Sequence, residues 1–173
     1  QQKTAAYVSH ELSILLNTSV SVEKINLGLL NRIVVDNIAL KDQSATDLLK
    51  VTRLSAKFEI LPLLNGKISI NSIQLFGFNI SLNKANRNSK ANYQFIIDAL
   101  TPTNKTSKKN NNLDLRINSI LIRRGKLSYD ILSENTTPGK FNPSHIKLHN
   151  IIANISLKSL HNDSINASIK RLS

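Results

Sequence analysis

One spacing of apolar residues recurs along this chain and limits the folds that it can adopt. An apolar residue is followed by two mostly polar residues, a second apolar residue, one further residue and a third apolar residue. In a regular β-strand the first and second apolar residues of this spacing point to opposite faces, whereas the second and third share a face. Such a strand is either buried on both faces or contains a β-bulge that exchanges its faces. Five segments fit this spacing in full: 22–27, 35–40, 51–56, 70–75 and 117–122. A sixth segment, 148–151, begins in the same way.

This repetition predicts the fold class. A bulge repeated in successive strands makes one sheet twist and curl strongly. We therefore expect a mainly β fold with a few helices, in which a curled antiparallel sheet forms an open groove or half-barrel with an N-terminal helix and a mid-chain helix packed on it. The tetrapeptide Ile-Asn-Ser-Ile, at 70–73 and again at 117–120, is predicted to mark the same bend in two strands. The alternative is an ordinary β-sandwich whose strands cross between two layers.

The other patterns divide the chain into five stretches. Residues 1–17 carry apolar residues at helical spacing and predict an amphipathic helix, and 18–82 are short β-branched runs that predict the sheet. Residues 89–100 predict a second helix with a serine at its N-cap. Residues 101–112 have no large apolar side chain to bury, which predicts a flexible loop. Residues 113–173 predict further strands.

Composition and charge narrow the partners. The chain has no cysteine, which excludes disulfides and thiolate chemistry. Its net charge is +12, divided into +4 over residues 1–100 and +8 over residues 101–173. Such a balance favours anionic partners, either the phosphates of nucleic acid or lipid headgroups, although a lysine-rich solvated surface has the same composition. No apolar run approaches the roughly 18 residues needed to cross a bilayer, so any anchor is expected outside these residues.

The sequence shows no catalytic, cofactor-binding or metal-binding motif. Its carboxylates are scattered, and it lacks a glycine-rich phosphate loop, a G-x-S-x-G turn and an H-E-x-x-H helix. His145 and His149 are four residues apart, but their segment is predicted to be a strand, which would hold them about 13 Å apart. We therefore predict a protein that is not an enzyme, with no catalytic residue, no cofactor and no metal ion.

Nucleic acid is not the expected partner, because single-stranded nucleic acid is usually bound by aromatic side chains interleaved with basic ones on a strand face. Tyr129 is the one aromatic residue close in sequence to a basic cluster, which comprises Arg123, Arg124 and Lys126.

The order of segments resembles a known family. After the N-terminal helix come VSVEKINL, NRIVVDNIALKD and TRLSAKFEILPLLNGKISINSIQLFG, followed by NYQFIIDAL. This order resembles the N-terminal region of the AsmA-like superfamily, in particular the TamB (translocation and assembly module) branch of Bacteroidetes-type bacteria. The resemblance covers residues 1–100, and beyond 112 only the Ile-Asn-Ser-Ile strand followed by a glycine carries it.

The resemblance implies both a location and a function. The 173 residues would form one β-groove segment of a longer periplasmic protein, anchored in the inner membrane of a Gram-negative bacterium through a helix outside these residues. The groove would be apolar inside and polar outside. The protein would move phospholipid to the outer membrane or help to assemble outer-membrane proteins, so its expected partners are phospholipid, the inner membrane and an outer-membrane assembly protein.

Two consecutive strands supply the residues predicted to bind lipid in this groove. The alternative function is a structural or protein-binding β-scaffold with no lipid ligand, whose apolar face is closed by its own helices. The candidate groove residues are Leu54, Ala56, Phe58 and Ile60 on one strand and Phe76, Phe78, Ile80 and Leu82 on the next.

Overall fold

The computed structural model describes residues 2–28, 31–59, 69–100, 116–161 and 164–172. Within them the chain forms two helices and seven strands. In chain order these are α1 (Gln2–Leu16), β1 (Val20–Gly28), β2 (Arg32–Lys41), β3 (Asp47–Phe58), β4 (Ser69–Lys84), α2 (Gln94–Leu100), β5 (Arg116–Ile131), β6 (His145–His161) and β7 (Ser164–Leu172).

The strands form one curled, open sheet whose spatial order follows the chain from β1 to β7. The prediction of a mainly β fold with an N-terminal and a mid-chain helix is confirmed. The sheet, predicted to be antiparallel, is mixed, because β4 and β5 pair in parallel whereas the other neighbouring pairs are antiparallel. A parallel pair needs a crossover of a dozen or more residues. The chain between Lys84 and Arg116, which includes α2, provides that length.

A line of irregular positions crosses the sheet at right angles to its strands. Asn37, Gly77 and Arg124 have φ angles of 52°, 64° and 54°, in the left-handed region that a strand residue normally avoids. The strand registers place Glu23 opposite Asn37, Asn37 opposite Thr52, Thr52 opposite Gly77 and Gly77 opposite Arg124. We call these five residues the crease. In β6, Asn150 is also left-handed, with φ 55°, close to the end of this line.

The crease breaks the alternation of side chains. Val51 and Phe78, which are paired, are buried at 4% and 7% exposure. Arg53 and Phe76, the paired residues two positions along, would share that face in regular strands, yet both are exposed. The next apolar pair, Leu54 with Leu75, lies three positions from Val51 and Phe78. The strands therefore exchange their faces at the crease, but the predicted β-bulge is wrong there, because the registers from β1 to β5 continue across the crease without a shift.

The prediction that both Ile-Asn-Ser-Ile segments mark the same bend is wrong, although the first of them contains a bulge. The two Ile-Asn-Ser-Ile segments lie side by side in the parallel pair, with Ile70 opposite Ile117 and Ile73 opposite Ile120. A register shift against β3 falls at Asn71 in the first copy. The shared bend comes seven residues after the first isoleucine of each copy, at Gly77 and Arg124.

Both helices pack on the sheet at one side of the crease. A buried cluster of Val20, Leu40 and Leu48 receives Leu12 and Leu16 from α1. Tyr93, Phe95 and Ile96, from α2 and the turn before it, pack on the same cluster. Each helix thus buries one apolar face against the sheet, as expected for amphipathic helices of this length.

The second helix is shorter than predicted. It begins at Gln94, and Ser89 is not its N-cap, because the Ser89 hydroxyl closes a turn with the backbone of Asn86. Asn92 is held against β4 instead: its side-chain oxygen accepts the Asn83 amide at 3.0 Å and its side-chain nitrogen donates to the Ser81 carbonyl at 3.0 Å. These bonds keep the preceding residues out of the helix. The predicted loop at 101–112 lies outside the described residues.

Neither described helix combines the length and the apolar character that a bilayer crossing requires.

Candidate functional site

The crease divides the residues predicted to line a lipid groove. Ala56 and Phe78 are buried, whereas Phe76 is 39% exposed. Half-buried positions are Leu54, Phe58, Ile80 and Leu82, and Ile60 lies outside the described residues. Leu54 and Ala56 are on one side of the crease. Phe78, Ile80 and Leu82 are on the other, where Leu82 packs on the cluster shared with the helices. The seven described residues of this set are therefore not brought together as one surface.

A larger apolar surface lies on the side of the crease away from the helices. Residues paired across neighbouring strands point to the same face, and so do residues two apart in one strand. The strand registers align two rows of six apolar residues across β1 to β6, which we call the apolar rows. The first row is Ile25, Val35, Leu54, Leu75, Ile122 and Ala153, and the second is Leu27, Ile33, Ala56, Ile73, Ile120 and Ile155.

The apolar rows remain partly open to solvent. Ala56 and Ala153 are buried at 7% and 4% exposure, but Leu27 is 83% exposed. The other nine side chains are half-buried. The hydrophobic cluster that the two helices share contains none of the twelve. Since neighbouring strands are about 4.8 Å apart, six strands make each row about 24 Å long.

The sequence contained a signal for most of this surface. The second and third apolar positions of the repeated spacing give eight of the twelve residues: Ile25 and Leu27, Leu54 and Ala56, Ile73 and Leu75, Ile120 and Ile122. Sequence reasoning missed six of these eight, because it selected residues by alternation within two segments. The register between strands was needed to show that the pairs align.

Helix α1 closes the outer edge of this sheet. The backbone amides of Val20 and Val22 donate to the hydroxyls of Ser13 and Ser9 at 3.0 and 2.8 Å. Each hydroxyl in turn donates within the helix, Ser9 to the Ala5 carbonyl and Ser13 to the Ser9 carbonyl. Four residues of helix rise about 6 Å and two residues of strand about 6.8 Å, so the two spacings match. The amides of Val20 and Val22, which an edge strand would otherwise expose, are thus satisfied.

An organised cluster of polar groups lies at the turn between β5 and β6. His145 Nδ1 is 2.9 Å from Asp130 Oδ1, and His145 Nε2 is 3.0 Å from the Glu134 carbonyl. The hydrogen bond with Asp130, helped by the Glu134 carbonyl, raises the pKa of His145 above its usual value. Arg87 Nε binds Glu134 Oε1 at 2.8 Å and lowers the pKa of that carboxyl. The cluster ties the turn to the chain that follows β4.

Among the described residues, no three His, Cys, Asp or Glu side chains are grouped so that they could hold a metal ion. His145 and His149 both lie on the strand β6, as predicted.

We compared the chain with protein-family models and with curated proteins, and neither comparison found a match.

Proposed function

We propose that this protein binds the acyl chains of phospholipids on the apolar rows and so handles lipid as part of a longer β-groove. One observation carries the proposal. Twelve apolar residues from six strands align in two rows, and the cluster formed by the helices covers none of them. A partly exposed apolar surface that crosses six neighbouring strands indicates an interaction site.

The size and chemistry of the apolar rows suit an acyl chain. The hydrocarbon core of a bilayer is about 30 Å thick, so one tail extends about 15 Å, which is less than the length of one row. Every residue in the rows is apolar, so a lipid tail displaces water from the surface without stripping a charged group of its hydration. Each methylene removed from water contributes about 0.8 kcal/mol. Partial burial of one tail is enough for appreciable binding.

The resemblance to the AsmA-like superfamily extends this proposal to the cell. We place the protein in the periplasm of a Gram-negative bacterium, anchored in the inner membrane by a helix outside these residues. There it would carry phospholipid towards the outer membrane or support outer-membrane protein assembly. The continuity of the apolar rows across six strands supports this role, because a groove that passes lipid along needs an apolar face shared by successive strands.

Site-specific photo-crosslinking tests the proposal. A photoreactive amino acid is placed at Ile33, Ile73 or Ile120, all in the second row, and in matched controls at their neighbours Val34, Ser72 and Ser119. Each control lies one residue away and points to the other face of the sheet. After irradiation with phospholipid vesicles, and in cells producing the whole protein, mass spectrometry identifies the adducts.

We expect phospholipid adducts at the three row positions and none at the three neighbours. Adducts to protein alone at the row positions would instead favour the alternative function, a structural or protein-binding β-scaffold. Equal lipid adducts at both sets would mean that the lipid contacts are not specific to the apolar rows, and the proposal would be wrong.

A further inference from the structure

A second surface surrounds the exposed ring of Phe76, which was predicted to line the lipid groove. Phe76 lies on β4 directly between Arg53 of β3 and Arg123 of β5 in the strand register. A pocket of about 390 Å³ opens here. Among the described residues, two guanidinium groups, one amide, one aromatic ring and two leucines line it, and no carboxylate does: Arg53, Gln74, Leu75, Phe76, Leu121 and Arg123.

A third arginine reaches the same ring from an unfavourable backbone position. The guanidinium carbon of Arg124 is 5.2 Å from the centre of the Phe76 ring, a cation–π contact. Arg124 is also the left-handed residue of β5, with φ 54°. The corresponding residues in β2, β4 and β6 are Asn37, Gly77 and Asn150, the types that adopt this conformation at least cost. A long side chain at a strained position indicates a functional constraint.

The charges at this pocket are incompletely balanced. Arg53 Nε binds Asp36 Oδ1 at 2.6 Å, which compensates one of the three arginines. Neither Arg123 nor Arg124 forms an ion pair with a carboxylate in the part of the chain that the structure describes. Both side chains are exposed. The site therefore presents two uncompensated guanidinium groups beside an aromatic ring and two leucines.

We propose that this pocket, which we call the arginine pocket, binds the phosphate of an anionic phospholipid headgroup. Guanidinium groups match phosphate oxygens in charge and in hydrogen-bonding geometry. The adjacent ring and leucines provide an apolar wall for the first carbons of the lipid, which a site for free phosphate would not need. The pocket is too small for more than a headgroup. Strand alternation puts the pocket on the face of the sheet opposite the apolar rows, so the headgroup that it binds belongs to a lipid of an adjoining bilayer and not to one held on the rows. The proposal rests on the proposed function for the kind of lipid.

One substitution separates this role from a structural one. Arg124→Asn places at position 124 the residue that already occupies two equivalent bends, so it removes a charge while it relieves backbone strain. Binding to phosphatidylcholine vesicles with and without phosphatidylglycerol is measured by flotation, together with the melting temperature. We expect affinity for the phosphatidylglycerol vesicles to fall about fivefold, as for one lost basic residue at an anionic surface, and the melting temperature to stay the same or rise.

A matched charge control tests whether the pocket matters or only the total charge. Arg123→Gln with Arg124→Asn removes two charges from the pocket, and Lys140→Gln with Lys147→Gln removes two exposed charges on and before β6. We expect about a 25-fold loss for the arginine pair and a much smaller loss for the lysine pair. Equal losses would mean a uniform attraction between a basic protein and an anionic vesicle. A lower melting temperature for Arg124→Asn with unchanged binding would mean that Arg124 serves only the fold. Either result overturns the proposal.

Two further ligands identify the source of the phosphate. Inorganic phosphate and a single-stranded oligonucleotide are titrated against the same variants. Loss of oligonucleotide or inorganic phosphate binding with intact vesicle binding would show that the pocket serves those ligands, and the proposal would be wrong. The crosslinks at Ile33, Ile73 and Ile120 report the proposed function separately. If lipid crosslinks form but Arg124→Asn does not change vesicle binding, only the arginine pocket is rejected. If Arg124→Asn weakens vesicle binding but no lipid crosslinks form, only the acyl-chain surface is rejected.

Discussion

The ring of Phe78 occupies the space that a side chain at position 125 would need. A Cβ on Gly125 would lie 2.3 Å from both Cε1 and Cζ of Phe78, and 3.1 Å from Cβ of Ile151. Phe78 is 7% exposed, and Gly125 follows Arg124 of the crease directly. Gly125 is not among the residues with positive φ, so it is glycine for reasons of space. The contact lets β4, β5 and β6 share one buried ring beside the bend.

The first prediction tests this contact. Gly125→Ala should destabilise the protein by about 1–3 kcal/mol, because overpacking forces the Phe78 ring or the backbone to move. Phe78→Leu removes the end of the ring, so the alanine should cost much less in that background. Chemical denaturation of the wild type, both single variants and the double variant gives the coupling free energy. A coupling free energy near zero would show that the ring does not cover Gly125.

The second prediction concerns the edge that α1 closes. Ser9→Ala and Ser13→Ala each leave a β1 amide without its acceptor, so each should lower the free energy of unfolding by about 1 kcal/mol. The helix propensity of alanine offsets part of the loss. The double variant should also self-associate, because β1 then presents unpaired amides. Urea denaturation and analytical sedimentation measure the two effects.

Ser21→Ala supplies the matched control for these serines, since Ser21 is exposed on β1 itself and its loss leaves the edge closed. If the double variant remains monomeric and as stable as Ser21→Ala, the packing of Leu12 and Leu16 alone holds the helix, and the hydroxyls contribute nothing.

The third prediction is a pH dependence at His145. Both of its ring nitrogens face acceptors, Asp130 and the Glu134 carbonyl, so only the doubly protonated ring donates to both. The pKa of His145 is raised by these partners above the unfolded value of about 6.5. The stabilisation is therefore complete below about pH 6.5 and is lost as the pH rises through the raised pKa.

The melting temperature of the wild type should accordingly fall between acidic and mildly alkaline pH, and His145→Gln should flatten that fall. His149→Gln, at an exposed histidine of the same strand, should leave the profile of the wild type unchanged. A profile for His145→Gln that is parallel to the wild type would show that the pH dependence arises elsewhere.

The sequence predicted the elements that depend on neighbouring residues. The spacing of apolar residues predicted α1 and the first strands, because a helix and a half-buried strand each repeat their apolar residues at a characteristic short interval. The α2 boundary was wrong because the hydrogen bonds of Asn92 to Ser81 and Asn83 are tertiary contacts. These outweigh a local N-cap preference, which is worth only about 1 kcal/mol.

The repeated spacing by itself determined that a strand carrying it is either buried on both faces or exchanges its faces, because three apolar positions at that interval cannot all point to one side of a regular strand. Only the tertiary structure decided where each strand does so and which residues then align. The bend falls at Gly77 and Arg124, where neighbouring strands are in register, and the apolar rows exist only through that register. Likewise, Phe76 joins Arg53 and Arg123 across three strands. Which distant segments pair, and in which register, depends on which alignment of whole strands buries their apolar faces best. The spacing of residues within one segment does not specify this.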